Sequence, residues 1–196
     1  MTISHPDMVA TLAKSGELIA SELTPENAHL LHMTIGIVGE AGELLDAFDQ
    51  AFSFSKDLDN ENIVEELGDS EFYIEGFRQG LGVTRDEVLA AGFHQEVDQI
   101  FGNQPLIAPI ATLKYTVQTT NLLDLVKKVV VYQKDVPTED IVAILSRMEI
   151  LLMVIRDQCG FQYGECLDHN INKLGKRYEG FKYSDNAAQV RADKAE

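Results

Sequence analysis

Glu40 and Glu43 stand three residues apart inside the stretch "GEAGELLDAF", and Glu66 and Asp69 repeat that spacing inside "EELGD". Side chains at i and i+3 share one face of a helix, so each pair sets two carboxylates side by side. The neighbouring residues are apolar at helical spacing, with Gly36-Ile37-Val38 before the first pair and Leu44-Leu45 after it. The acids therefore border a stripe that has to be buried. If the two helices pack antiparallel, four carboxylates converge at the middle of a bundle. Uncompensated acids there are costly, or hold protons well above their usual range. A hard divalent cation removes the conflict: Mg²⁺ or Mn²⁺ takes oxygen ligands and keeps open positions for water and phosphate. No suitable cluster of histidine and cysteine points to zinc. A di-iron carboxylate bundle wants Glu-x-x-His on two of its helices, and neither acid pair carries that histidine.

Composition narrows the setting. The chain has 196 residues and a formal net charge of −16, enough for one domain or two small ones with a real core. An acidic surface of this size repels phosphate backbones, which speaks against nucleic-acid binding, although a small anion can bind where metal ions mask the acids. Two cysteines, Cys159 and Cys166, make no disulfide framework, and a cytoplasmic, reducing compartment is expected. The opening "MTISHPDMVATLAKSGE" lacks the apolar segment of a signal peptide. No apolar run approaches the roughly 18 residues of a membrane span, so no membrane partner is expected.

The elements that must hold the acids follow from the helical period. One long amphipathic helix is predicted over about 25–51, with Thr24 as N-cap and Pro25 in its first position. "SFSKDLDNEN" reads as a loop, and a second helix is predicted over about 61–80, stopped at Gly82. Thr84 caps a third, with Glu87 completing a capping box. The segment 101–111, "FGNQPLIAPIA", holds two prolines and reads as a connector before the helical pattern resumes. From Tyr183 onward the chain is polar and reads as a fraying tail.

The chain also matches itself without a gap. Leu122 lies 78 positions after Leu44, and at that offset Leu44-Leu45-Asp46 overlies Leu122-Leu123-Asp124. Lys56-Asp57 overlies Lys134-Asp135, Glu71 overlies Glu149, Arg78 overlies Arg156 and Gly82 overlies Gly160. This reads as a tandem duplication: an acid-bearing unit over 1–100, the connector over 101–111, and a degenerate unit over 112–196, together forming two domains or one compact one. Glu40 and Glu43 face Gln118 and Asn121 in the second copy, while Glu66 and Asp69 face Ile144 and Arg147. The basic stretch "NINKLGKRYEGF" belongs to the second copy alone.

"GEAGELLDA" followed by "NIVEELGDSEFYI", with the closing "NINKLGKRYEGF", resembles the phage-type members of the MazG-like all-α nucleoside triphosphate pyrophosphohydrolases. Their signature is ExxE and, further on, ExxD; dimeric dUTPases and dCTPases belong to the same superfamily. The resemblance covers Leu30 to Leu89 and resumes from Asn170 to Gln189. A single-copy member would pass from "TRDEVLA" almost directly into "NINKLGKRY", and here a whole second unit intervenes.

The resemblance implies an all-α MazG-like bundle that converts a (d)NTP to the monophosphate and pyrophosphate, in nucleotide-pool control or phage DNA precursor supply. It implies Mg²⁺ as cofactor, with Mn²⁺ able to substitute, held by Glu40, Glu43, Glu66 and Asp69. Glu40 or Glu43 would also orient or deprotonate the attacking water. The implied partner is a nucleoside triphosphate, a dNTP foremost, and the implied assembly a homo-oligomer, either a dimer or a dimer of pseudo-dimers. For a phage protein the compartment would be the host cytoplasm. Pyrophosphate demands cationic donors, and Lys173 and Arg177, four apart on one helix face, suit it. Asn170, Tyr178 and Lys56 are further candidates. Tyr73 follows Asp69 by one turn, and His32 is a candidate base contact whose plainer reading is a buried, satisfied histidine. Glu65 points about 100° away from Glu66 on the helix and is left out of the acid cluster. The alternative is a non-catalytic MazG-like module that binds a nucleotide or a partner.

Overall fold

The computed structural model describes residues 3–92 and 106–194. Every regular element among the described residues is helical. Two short helices, α1 (His5–Leu12) and α2 (Gly16–Glu22), precede the long α3 (Pro25–Ser53). Then come α4 (Asn60–Leu81), α5 (Arg85–Gly92), α6 (Ala108–Tyr132), α7 (Thr138–Cys159) and α8 (Tyr163–Arg177). A 3₁₀ turn (Glu179–Phe181), α9 (Asp185–Val190) and a second 3₁₀ turn (Ala192–Lys194) follow. No described helix is long and apolar enough to cross a membrane.

Local chemistry accounts for the ends of these helices. The Thr24 side chain accepts the Asn27 N–H, and Pro25 takes a first-turn position where its missing N–H costs nothing. Asp59 accepts the Asn62 N–H at the start of α4, and Gly82, with φ of 76°, ends it in the left-handed region. Thr84 and Glu87 form the expected reciprocal cap before α5, the Thr84 N–H donating to Glu87 at 2.7 Å and the Glu87 N–H to Thr84 at 3.3 Å.

Two expectations are corrected. The predicted connector gives way to helix at Ala108, because Pro109 sits in the first turn of α6 and a proline is tolerated there. The Gln158 side chain secures that start, accepting the Ala108 N–H and donating to the Leu106 carbonyl, each at 2.6 Å. Residues 101–105 of the connector lie outside the described ones. The predicted fraying tail is instead built into α9 and the last 3₁₀ turn, tied back by ion pairs from Asp193 and Lys194.

The apolar stripes of α3 (Leu30, Met33, Ile37, Leu44) and α6 (Ala111, Tyr115, Leu122, Val126) are buried and pack together at the centre. Helix α4 packs on α3 and α7 on α6, but the third helix of each set crosses over: α5 lies on α7, and α8 on α4. Helices α4 and α7 begin and end 78 positions apart, and so do the starts of α5 and α8. Buried ion pairs obey the same offset. Arg78 binds Glu149, and Arg156 binds Glu71 at 2.6 Å, so one contact is made twice with its partners exchanged.

Candidate functional site

The crossing of α8 onto α4 is what closes the site. Gly68 lies at the contact, where a Cβ would stand 2.6 Å from the Cys166 carbonyl oxygen and 3.0 Å from the Asn170 Cβ. Its bare backbone lets α8 approach the acid-bearing face of α4. On the other flank, a Cβ on Gly36 of α3 would stand 2.3 Å from the Tyr73 ring, so this glycine gives the ring its place against α3.

Glu40 and Glu43 on α3 and Glu66 on α4 each place a carboxylate oxygen within 4.8 Å of the other two. Glu66 is buried, Glu40 half-buried and Glu43 exposed. Burial, a hydrogen bond with Glu40 and the negative charges of Glu43, Glu40 and Asp69 push the Glu66 carboxyl up to about 9. Burial also raises Glu40; its hydrogen bond with Glu66 opposes the rise, and the charges of Asp69 and Glu43 add to it. Three oxygen donors crowded until one must hold a proton suit a hard divalent cation, which would take the proton's place.

Asp69 does not join this triad. Its Oδ1 accepts from Asn170 Nδ2 at 2.6 Å, and its other oxygen accepts from the Lys173 ammonium. Lys173 is buried on α8 and also donates to Glu65 at 3.0 Å. Burial disfavours its charge, yet the Asp69 and Glu65 carboxylates hold its pKa above the ordinary lysine value. Glu65, omitted in the sequence reading, is therefore part of the site. It accepts from Lys194 as well, at 3.2 Å. The overlooked signal was its i,i+4 relation to Asp69, which puts both on one face of α4.

The acids open into a cavity of about 700 Å³. That volume falls in the roughly 300–1,000 Å³ range of small-molecule sites. Tyr73 and His32 line one side, their rings edge-to-face with centroids 6.2 Å apart. His32 is exposed, which sets aside the buried-histidine reading. Asn170, Arg177 and Tyr178 line the cavity from α8 and its C-terminal end, and Arg191 and Lys194 line it from the tail. Arg177 is held by Asp193 through two bonds of 2.6 Å. Lys56 lies elsewhere, in the α3–α4 loop, where it donates to Gln50 at 2.7 Å beside a separate apolar depression. Its expected role as a donor to pyrophosphate thus meets no geometry, since it lines the separate depression and not the cavity beside the acids. One Glu-x-x-His spacing does occur in the chain, at Glu26 and His29, but it lies in the first turns of α3, with His29 Nε2 2.8 Å from the Gly76 carbonyl oxygen. No family model, no curated protein and no solved structure matches this chain.

Proposed function

We propose that the chain is a Mg²⁺-dependent nucleoside triphosphate pyrophosphohydrolase of MazG-like type, releasing pyrophosphate from a (d)NTP in the cytoplasm. One observation carries the reading: the Glu40–Glu43–Glu66 triad opens into a cavity whose other walls are aromatic and cationic. When bound, Mg²⁺ would polarise the α-phosphate and lower the pKa of the attacking water. Glu40, Glu43 and Glu66 would hold the cation. The exposed Glu43 would also face the water and take its proton. Asp69, fixed by Asn170 and Lys173, would complete the anionic face once Lys173 is drawn towards phosphate. Tyr73 and His32 offer ring faces and edges to the base. The repeated helix ends and the exchanged Arg–Glu pairs support a tandem duplication that has fused the two halves of a dimer, with the second unit supplying Asn170, Lys173 and Arg177 to the first.

The second reading is a non-catalytic nucleotide-binding module. The engagement of Asp69 by Lys173 favours it, because it leaves three acids rather than four in the cluster. Pyrophosphate release from a panel of dNTPs and NTPs, with Mg²⁺ and with chelator, separates the two. We expect Mg²⁺-dependent release, and a loss of about 10²-fold or more in Glu43→Gln. Nucleotide binding without pyrophosphate release would favour the module.

A further inference from the structure

The tail beyond α8 was expected to be loose, and it is docked. Ser184 caps α9 by accepting the Ala187 N–H, Asp193 grips Arg177, and Lys194 reaches Glu65. We propose that Arg177, oriented by Asp193, and the neighbouring Arg191 form a two-guanidinium clamp for the phosphates of the substrate, so that the segment 184–194 is a wall of the site. The clamp rests on the nucleotide reading above and names who receives the phosphates.

Three observations carry it. First, the cation nearest the acids is already engaged: the Lys173 ammonium is bound by Asp69 and Glu65. In a chain of net charge −16, one ammonium shared with two carboxylates leaves a phosphate chain in need of further donors. Arg177 and Arg191 both line the cavity. Second, Asp193 is a buried orienting group. Its side chain is 1% exposed, and its two oxygens meet Arg177 Nε and Nη2 at 2.6 Å each. A carboxylate docked across that edge fixes the guanidinium plane while Nη1 takes no part in the fork. The hydrogen bond to Arg177 leads the effects that lower Asp193 to about 2, so the carboxylate stays charged and keeps its grip on that arginine. Third, Arg191 has φ of 50° and ψ of 57°. A non-glycine side chain in the left-handed region is strained, and such strain gathers at functional sites. Glycine would hold this turn without strain, yet the position carries a guanidinium that lines the cavity.

That strain supplies a variant that keeps the fold. In the full chain, Arg191→Gly preserves the turn and removes only the side chain. With Mg²⁺ present, inorganic pyrophosphate binding is measured by calorimetry, alongside Mn²⁺ binding alone. Arg191→Gly and Arg177→Ala should each weaken pyrophosphate binding about tenfold or more, with Mn²⁺ affinity unchanged. Asp193→Asn should weaken it too, and Arg177→Ala/Asp193→Asn should bind no worse than Arg177→Ala alone, as expected when Asp193 acts through Arg177. Wild-type affinity in Arg191→Gly would overturn the clamp. So would tighter binding in Asp193→Asn, which would make Asp193 a competitor for the phosphate site. If wild-type protein binds Mn²⁺ but no pyrophosphate, the pyrophosphohydrolase reading fails and the clamp with it. If pyrophosphate binds equally to all variants, the clamp alone fails.

Discussion

Lys173 on α8 binds the carboxylate of Asp69 on α4 across 104 positions of sequence. The ammonium holds an oxygen that would otherwise be free to join the Glu40–Glu43–Glu66 cluster. Removing it should release Asp69 to the acid triad and leave more negative charge facing the cavity. Lys173→Met should therefore bind Mn²⁺ about tenfold more tightly, while its affinity for pyrophosphate falls. Calorimetry with each probe reads the two effects separately, and unchanged Mn²⁺ affinity would show that Asp69 is no part of the cation site.

Stability without metal should depend on pH through Glu66. Its carboxyl titrates near 9 in the folded chain and near 4.5 when free of its surroundings, with Glu40, Glu43 and Asp69 as its charged neighbours. Between those values the folded state binds the extra proton, so stability falls as pH rises. In chelator, the melting temperature should drop steadily from pH 5 to pH 9, and Glu66→Gln should flatten that slope. Metal binding displaces the proton, so Mg²⁺ affinity should rise with pH over the same window, approaching about tenfold per unit for one proton released.

The buried ion pairs joining Arg78 to Glu149 and Arg156 to Glu71 bear on stability. Glu71 is 1% exposed, and burial together with the nearby Glu149 charge pushes it up to about 7 despite Arg156. Arg156→Met would strand that carboxyl in the core. We expect a loss of about 3–5 kcal/mol in urea unfolding. The double change Arg156→Met/Glu71→Leu should recover much of it, since no buried charge is then left alone.

Glycine positions separate close approach from mere propensity. Gly68→Ala would drive a methyl into the Cys166 carbonyl and the Asn170 side chain, and should cost about 1–3 kcal/mol. Because α8 must shift, it should also weaken the Asn170 and Lys173 contacts to Asp69. Gly39, one residue before Glu40, has nothing within 4 Å of an added Cβ. Gly39→Ala should stabilise by about 0.5–1 kcal/mol with pyrophosphate binding unaltered. Urea unfolding of both variants checks the contrast.

The helices were legible in the sequence because their ends are written in local chemistry. Thr24, Gly82 and the Thr84–Glu87 box act within a few residues, so spacing alone reveals them. The start of α6 was misplaced because prolines mark both connectors and first helical turns. Glu40 and Glu43 were legible for the same local reason, as an i,i+3 pair, and Glu66 through the same spacing to Asp69. Their partners were not. That Lys173 would face Asp69 and Glu65 rather than open space depends on α8 crossing to α4, a contact no period encodes. The tail was misread because its polar residues find ion partners, Arg177 and Glu65, that only the folded chain brings near. The offset of 78 was the one long-range signal available, and it matched Glu71 with Glu149 and Arg78 with Arg156, but that Arg78 binds Glu149 and Arg156 binds Glu71 was not legible in it.

Because α8 crosses over to α4, the order of synthesis matters to this chain. Glu40, Glu43, Glu66 and Asp69 leave the ribosome roughly a hundred residues before Lys173 and Asn170. Folding generally proceeds from the first-made part of a chain. The α3–α4 hairpin must therefore exist for a time with its acids facing water, its apolar stripe uncovered by α6, and Gly68 open where α8 will later lie. During that interval the hairpin is an exposed sticky surface ringed by negative charge. The acids would meanwhile discourage one nascent chain from joining another.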